Sequence, residues 1–175
     1  MSRIITITLL GALLLGPALP AHAVAPAESV RAAGNWGIGI GGGTAVSGFS
    51  GKYFLTNGTA LQAIVGGVGH VAHDFGTDDD FGTTALGVDI DFLVEMPTIT
   101  TVADVFELGW AIGAGAWTWI PDPFWLGING VLGIEFNFIP IPLDVVLEYR
   151  PAIRVVPEVG MALWDFGVHV RFYFH

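Results

Sequence analysis

The 175-residue chain contains no cysteine. That excludes a disulfide scaffold, thiolate metal sites, a cysteine nucleophile and a lipid-modified bacterial N-terminus. Basic residues are also scarce, six Lys and Arg against 16 Asp and Glu, for a formal net charge of −10. No nucleic-acid partner is expected, because displacing counterions from phosphates needs clustered basic side chains. Charged residues make up 13% of the chain, about half the share of an ordinary soluble domain, while hydrophobic residues reach 53%, which excludes disorder. Beyond residue 23 there is no uncharged apolar run near the ~20 residues that a spanning helix needs. The best candidate, Leu108 to Pro121, is short, glycine-rich and ends in Pro121-Asp122-Pro123. The 25 glycines show no three-residue period, which excludes collagen, and they would puncture helices throughout.

What is present begins with an address. Arg3 supplies a positive start, Ile4 to Leu19 is apolar, and Ala21-His22-Ala23 fits a small-residue cleavage site, so residues 1–23 are expected to be a secretory signal peptide. Residues 24–33 follow as a short N-terminal segment, and residues 34–175 form one domain. An exported, hydrophobic chain without a spanning helix points to a β-barrel.

Period-two alternation supports that reading. In 84–95, Leu86, Val88, Ile90, Phe92 and Val94 share one face, while Ala85, Gly87, Asp89, Asp91, Leu93 and Glu95 share the other. The scheme repeats in 106–119, 126–138, 143–150 and 161–174, and in a glycine-rich form in 36–41, 47–55 and 59–71. Between the second and third of these eight strands, a three-residue Thr56-Asn57-Gly58 loop with Gly58 left-handed would pair Lys52 with Gln62 and Tyr53 with Leu61, and so keep the faces unmixed. The fold class expected is all-β, an eight-stranded antiparallel up-and-down transmembrane barrel. Connections at 43–46, 72–83, 120–125 and 151–160 would lie at one end, facing outward from the cell, and those at 56–58, 96–105 and 139–142 at the other, in the periplasm. The acidic loop from His73 to Asp80 would then be at the cell surface.

A soluble barrel would enclose its apolar face, whereas a membrane barrel turns it to lipid. Aromatic placement favours the second. Trp36, Tyr53, Phe92, Phe106, Phe136, Phe138, Phe172 and Phe174 lie near the periplasmic strand ends, and Trp117, Trp119, Phe124, Trp125, Trp164 and Phe166 near the outer ends, as two interfacial girdles would require. Inward glycines leave room for long charged side chains. The expected lumen charge network comprises Lys52, Asp89, Asp91, Glu107, Glu135, Glu148, Arg150, His169 and Arg171, with Glu95 and Asp144 placed at the periplasmic rim.

The stretch Gly37-Ile38-Gly39-Ile40-Gly41, with Ser47-Gly48-Phe49-Ser50-Gly51-Lys52-Tyr53-Phe54-Leu55-Thr56 and Ala60-Leu61-Gln62, resembles a family of small eight-stranded outer-membrane barrels first noted in spirochaetes, with an OmpA/OmpX-like architecture. The end Val168-His169-Val170-Arg171-Phe172-Tyr173-Phe174 resembles the C-terminal signal that barrel-assembly machinery reads, with Val170, Phe172 and Phe174 as its residues and His175 one position beyond the usual end. The resemblance covers the chain from about residue 34 and implies fold and outer-membrane location; it transfers no catalytic residue.

No cofactor or metal is assigned. Ser29, Ser47 and Ser50 are the serines beyond residue 23, none in a Gly-x-Ser-x-Gly elbow, and a triad of Ser50 with His70, His73 or Asp74 is not expected. The acids Asp74 and Asp78 to Asp80 lack EF-hand spacing and are expected to be a solvated loop. Eight strands leave an interior filled by side chains. The function expected is therefore structural or surface-interacting, without enzyme activity. Its partners would be outer-membrane lipid, the assembly machinery and a ligand of the outer loops. A lipid-modifying enzyme on the same scaffold, or a narrow cation-selective pore, is the alternative.

Overall fold

The structure, a computed structural model, describes residues 29–43, 46–68, 86–120 and 124–174. The expected signal peptide, the acidic loop, His70 and His73 lie outside these residues. There are ten strand segments, β1 Trp36–Gly42, β2 Val46–Thr56, β3 Thr59–Val68, β4 Leu86–Val102, β5 Phe106–Ile120, β6 Trp125–Phe138, β7 Leu143–Tyr149, β8 Ala152–Val156, β9 Gly160–Ala162 and β10 Phe166–Phe174, and no helix among the described residues.

These segments form eight barrel strands. β6 pairs with β7 over Leu132–Phe138 and with β8 over Leu126–Asn129, so β7 and β8 are one strand interrupted at Arg150-Pro151. Pro151 has no N–H for the ladder. The break is held by Gly130 N–H donating to the Pro151 carbonyl at 2.9 Å and Arg150 N–H to the Asp165 carbonyl at 2.8 Å. β9 pairs with β8 and β10 with β7, which makes β9 and β10 the last strand. Neighbouring strands are antiparallel throughout, and β1 pairs with β10, closing the barrel.

Register places successive side chains on opposite faces, and the sorting is the reverse of a soluble domain. On β4, Ile90 and Phe92 are about half exposed, while Asp89 and Asp91 between them are buried. All five Lys and Arg that follow Arg3 (Arg31, Lys52, Arg150, Arg154 and Arg171) are buried, and so are seven carboxylates. Inward glycines make this fit. A Cβ at Gly41 would collide with the His169 ring, one at Gly115 with the Asp91 carboxylate and one at Gly127 with the Trp117 indole.

Several boundaries differ from the sequence expectation. The Lys52–Gln62 and Tyr53–Leu61 pairs are present, but Thr56 pairs with Thr59 around a two-residue Asn57-Gly58 turn, and a register shift between Phe54 and Thr56 keeps the faces apart. Gly58 is not left-handed. The connection expected over 96–105 is mostly strand, because β4 runs to Val102 and turns through Ala103 (φ 42°) and Asp104 (φ 55°), with Val105 N–H donating to the Val102 carbonyl. Pro97 falls at the irregularity between Met96 and Thr100, where no ladder donor is lost, and the β-branched run Thr98 to Val102 resumes the strand. The connection expected over 151–160 contains β8.

Candidate functional site: the barrel lumen

The lumen is stacked in layers, and its two ends are called here the turn end (57–58, 103–105, 139–142) and the loop end. Nearest the loop end is an apolar cluster of Val46, Ile64, Trp117, Trp119, Trp125, Ala152 and Ala162. Trp119 stacks on Trp125 with centroids 4.5 Å apart at 16°, and Trp117 tilts against Trp119 at 5.2 Å. The Arg154 guanidinium lies over the Trp125 ring at 4.2 Å and its Nε donates to the Glu158 carbonyl at 2.9 Å. This corrects the girdle expected at the outer ends, because three of its tryptophans point inward. Phe124, Trp164 and Phe166 do face outward. Trp117 and Trp119 share parity with Ala111, Gly113 and Gly115, so the alternation carried the signal that the rim-level count of aromatics hid.

Below the tryptophans lies the first charged layer. Arg150 binds Asp89 at 2.6 Å, Asp91 at 2.9 Å and Glu148 at 2.5 Å. Asn129 Nδ2 donates to Asp91 Oδ1 at 2.7 Å, and Gln62 Nε2 donates to Glu148 Oε1 at 2.9 Å. His169 spans Ser50 (Nδ1 to Oγ, 2.9 Å) and Glu148 (Nε2 to Oε2, 3.1 Å). A serine, a histidine and a carboxylate thus lie in line, but Ser50, His169 and Glu148 are respectively 2%, 0% and 3% exposed. Glu148 is also tied up by Arg150 and Gln62, so the three groups form part of the enclosed network. Ser50 finds its histidine inside the barrel and not in the region of His70 to Asp74.

The next layer joins Arg171 to Asp144, with NH2 at 2.9 Å from Oδ2 and NH1 donating to Gln62 Oε1 at 2.5 Å. The Tyr173 hydroxyl donates to Asp144 Oδ2 at 2.7 Å. At the turn end, Lys52 sits between Glu135 at 2.6 Å and Glu95 at 2.7 Å. Val30, Phe54, Ala60, Leu93, Val131 and Tyr173 pack around this layer.

Eight of the nine residues expected in the network are therefore in it, and Glu107 is not. Glu107 is half-buried at the mouth, where it accepts a hydrogen bond from Ser29 Oγ at 3.3 Å. Glu95 and Asp144, expected at a wet rim, are 7% and 0% exposed. The physical reason is stagger. Partners traced from Trp36 run through Tyr53, Leu61, Phe92, Ala114 and Gly130, and beside Gly130 the ladder continues from Asn129 to Ala152 and Ala162, well above the Val168 that pairs with Gly42 next to the starting strand. Position along a tilted strand is not depth.

Two buried bases, Arg31 and Arg154, are absent from the expected network, as is the buried Asp165, although alternation along 161–174 puts Asp165 on the inward face with His169 and Arg171. Among the described residues the interior count becomes seven acids (Asp89, Asp91, Glu95, Glu135, Asp144, Glu148, Asp165) against five bases. Arg31 carries no periodic signal, since it precedes β1. Its only sequence clue was that bases are few. Val170, Phe172 and Phe174 alternate outward on β10, with Phe174 stacked on Trp36 at 4.7 Å. Among the described residues no group of three or more His, Asp or Glu side chains is arranged to hold a metal ion. Comparison with family models, with curated proteins and with solved structures finds no match to this chain.

Proposed function

We propose that this chain is an integral outer-membrane β-barrel with a structural or surface-interaction role and a packed, non-catalytic lumen. The observation behind the reading is the inverted sorting, apolar residues such as Ile38, Ile40, Phe49, Ile90, Ile128 and Ile134 outside and every described Lys and Arg inside. In water, a barrel wrapped in exposed Ile, Val, Leu and Phe would be an aggregation surface far larger than soluble monomers tolerate. In a bilayer the same wrapping is the solvent-facing side. The aromatic contacts at the turn end, Trp36 with Phe174 and Phe106 with Phe136 and Phe138, support an interfacial belt there. Lipid is then the principal partner, the assembly machinery would read the outward Val170, Phe172 and Phe174, and the connections at the loop end would meet any extracellular ligand. The paired and plugged lumen argues against a cation-conducting path, and the enclosed Ser50 argues against lipid hydrolysis.

The protein is expected in the outer-membrane fraction, migrating faster on an unheated gel than after boiling, because a closed hydrogen-bonded barrel resists detergent unfolding. Recovery in a soluble periplasmic fraction would overturn the reading. A second test is Ile90→Arg, which should cost about 2–4 kcal/mol of folding stability in lipid vesicles if position 90 lies near the midplane. Gly87→Ser, on the inward face beside Val46, is not an equivalent control, because a Cβ there is already too close. The outward Ser47→Thr near the loop end is the milder comparison, and equal costs for it and Ile90→Arg would speak against a lipid-facing Ile90.

A further inference from the structure

The turn-end mouth of the barrel is filled by the chain's own N-terminal segment. Gly34 N–H donates to the Phe54 carbonyl at 2.8 Å, Phe54 N–H to the Asn35 carbonyl at 2.9 Å and Ala33 N–H to Asn57 Oδ1 at 2.9 Å. The left-handed Gly34 (φ 90°) lets the segment turn from the lumen into β1. Val30 enters the apolar cluster beside Phe54 and Leu93. Arg31 goes further and completes a charge arrangement that the barrel wall leaves unfinished.

Lys52 alone stands between two buried carboxylates, Glu95 and Glu135. Arg31 supplies the second cation. Its NH2 donates to Glu95 Oε2 at 2.9 Å and to the Met96 carbonyl at 2.7 Å, and its Nε faces Glu135 Oε2 at 3.7 Å. Acceptors thus lie against two of the three nitrogens of the flat guanidinium, Glu95 and Met96 hydrogen-bonded to NH2 and Glu135 as a longer ion pair to Nε, which itself has no hydrogen-bond partner. Gly109 makes room, since a Cβ there would lie 2.8 Å from Arg31 NH1. Beside it the Asn137 carboxamide is 3% exposed, and neither its oxygen nor its nitrogen has a hydrogen-bond partner. A cavity of about 330 Å³, lined by Arg31, Glu95, Asn57, Thr98 and Glu107 among others, opens the site towards solvent.

We propose that the turn-end mouth is a guanidinium-binding site, filled in cis by Arg31 on residues 29–35 and able to take a small guanidinium compound in trans when that side chain is absent. The segment is thereby a tethered plug. The absence of cysteine makes a single introduced thiol a clean reporter of its seating. In detergent micelles, Val30→Cys in the otherwise intact chain should react with a small maleimide at least about tenfold more slowly than the unfolded protein, because labelling requires local opening. Adding Arg31→Ala should restore most of that rate. Arg31→Ala by itself should lower the thermal unfolding midpoint, and ethylguanidinium chloride at ~10–50 mM, above the millimolar effective concentration typical of a tethered group, should raise it again by mass action. Tetramethylammonium chloride at the same ionic strength should not. If Arg31→Ala does not fold, folding in ethylguanidinium should recover the heat-modifiable form. Free labelling of Val30→Cys in the folded barrel, an unchanged rate on removing Arg31, or recovery that is absent or equal for both salts would each overturn the assignment.

Discussion

Replacing Arg150 with methionine should destabilise the folded barrel by roughly 3–5 kcal/mol, the usual cost of removing one partner from an enclosed ion pair and leaving the other unpaired. Arg150 is 2% exposed and its guanidinium is shared by three carboxylates. They would not suffer equally. Asp91 keeps Asn129 and Gln62, and Glu148 keeps Gln62 and His169, whereas Asp89 loses the one group that binds its Oδ2, and its Oδ1 already has no partner. Asp89→Asn in the Arg150→Met background should therefore recover part of the loss, a coupling that a double-mutant cycle would read from urea unfolding in detergent. Because the layer is enclosed, the loss should persist at high salt, where surface pairs are screened. An Arg150→Met barrel as stable as the parent would mean that these charges do not organise the lumen.

Trp119→Ala should cost a similar ~3–5 kcal/mol, from lost burial and the cavity left behind. Trp119 is 1% exposed and lies between Trp117 and Trp125, so its removal strips two ring contacts at once. The outward Trp164, 76% exposed, provides the contrast. Trp164→Ala touches the barrel's surface and should have the smaller effect on urea unfolding in the same micelles. Equal losses at the two positions would place Trp119 on the outer face and remove the apolar layer at the loop end.

Taken together, the two substitutions probe different kinds of cohesion in one lumen. The tryptophan layer gains from burial and needs no partner choice. The charged layers need each base to serve several acids, Arg150 with three and Lys52 with two, since seven buried carboxylates face five bases among the described residues. Their amide and hydroxyl neighbours Gln62, Asn129 and Tyr173 take up remaining carboxylate oxygens.

The sequence by itself determined the number of barrel strands and the inward or outward face of most of their residues. Alternation has a period of two residues and is local, so Asp89 and Asp91 inward and Ile90 and Phe92 outward follow from any pleated strand over 86–94. The Lys52–Gln62 register was likewise legible, because only one pairing kept the faces unmixed. Tertiary structure alone decided depth and partnership. Glu95 and Asp144 stand near strand ends in sequence yet are buried, since stagger around a tilted barrel separates position along a strand from height in the lumen. The Gln62 bonds to Glu148 and Arg171 join residues 86 and 109 positions apart, separations on which a local pattern carries no information. The break at Arg150-Pro151 and the return of Arg31 into the mouth belong to the same class. Both depend on where the closed barrel leaves an unpaired N–H, an unmatched carboxylate or a space beside a glycine, and those exist only once all eight strands have met.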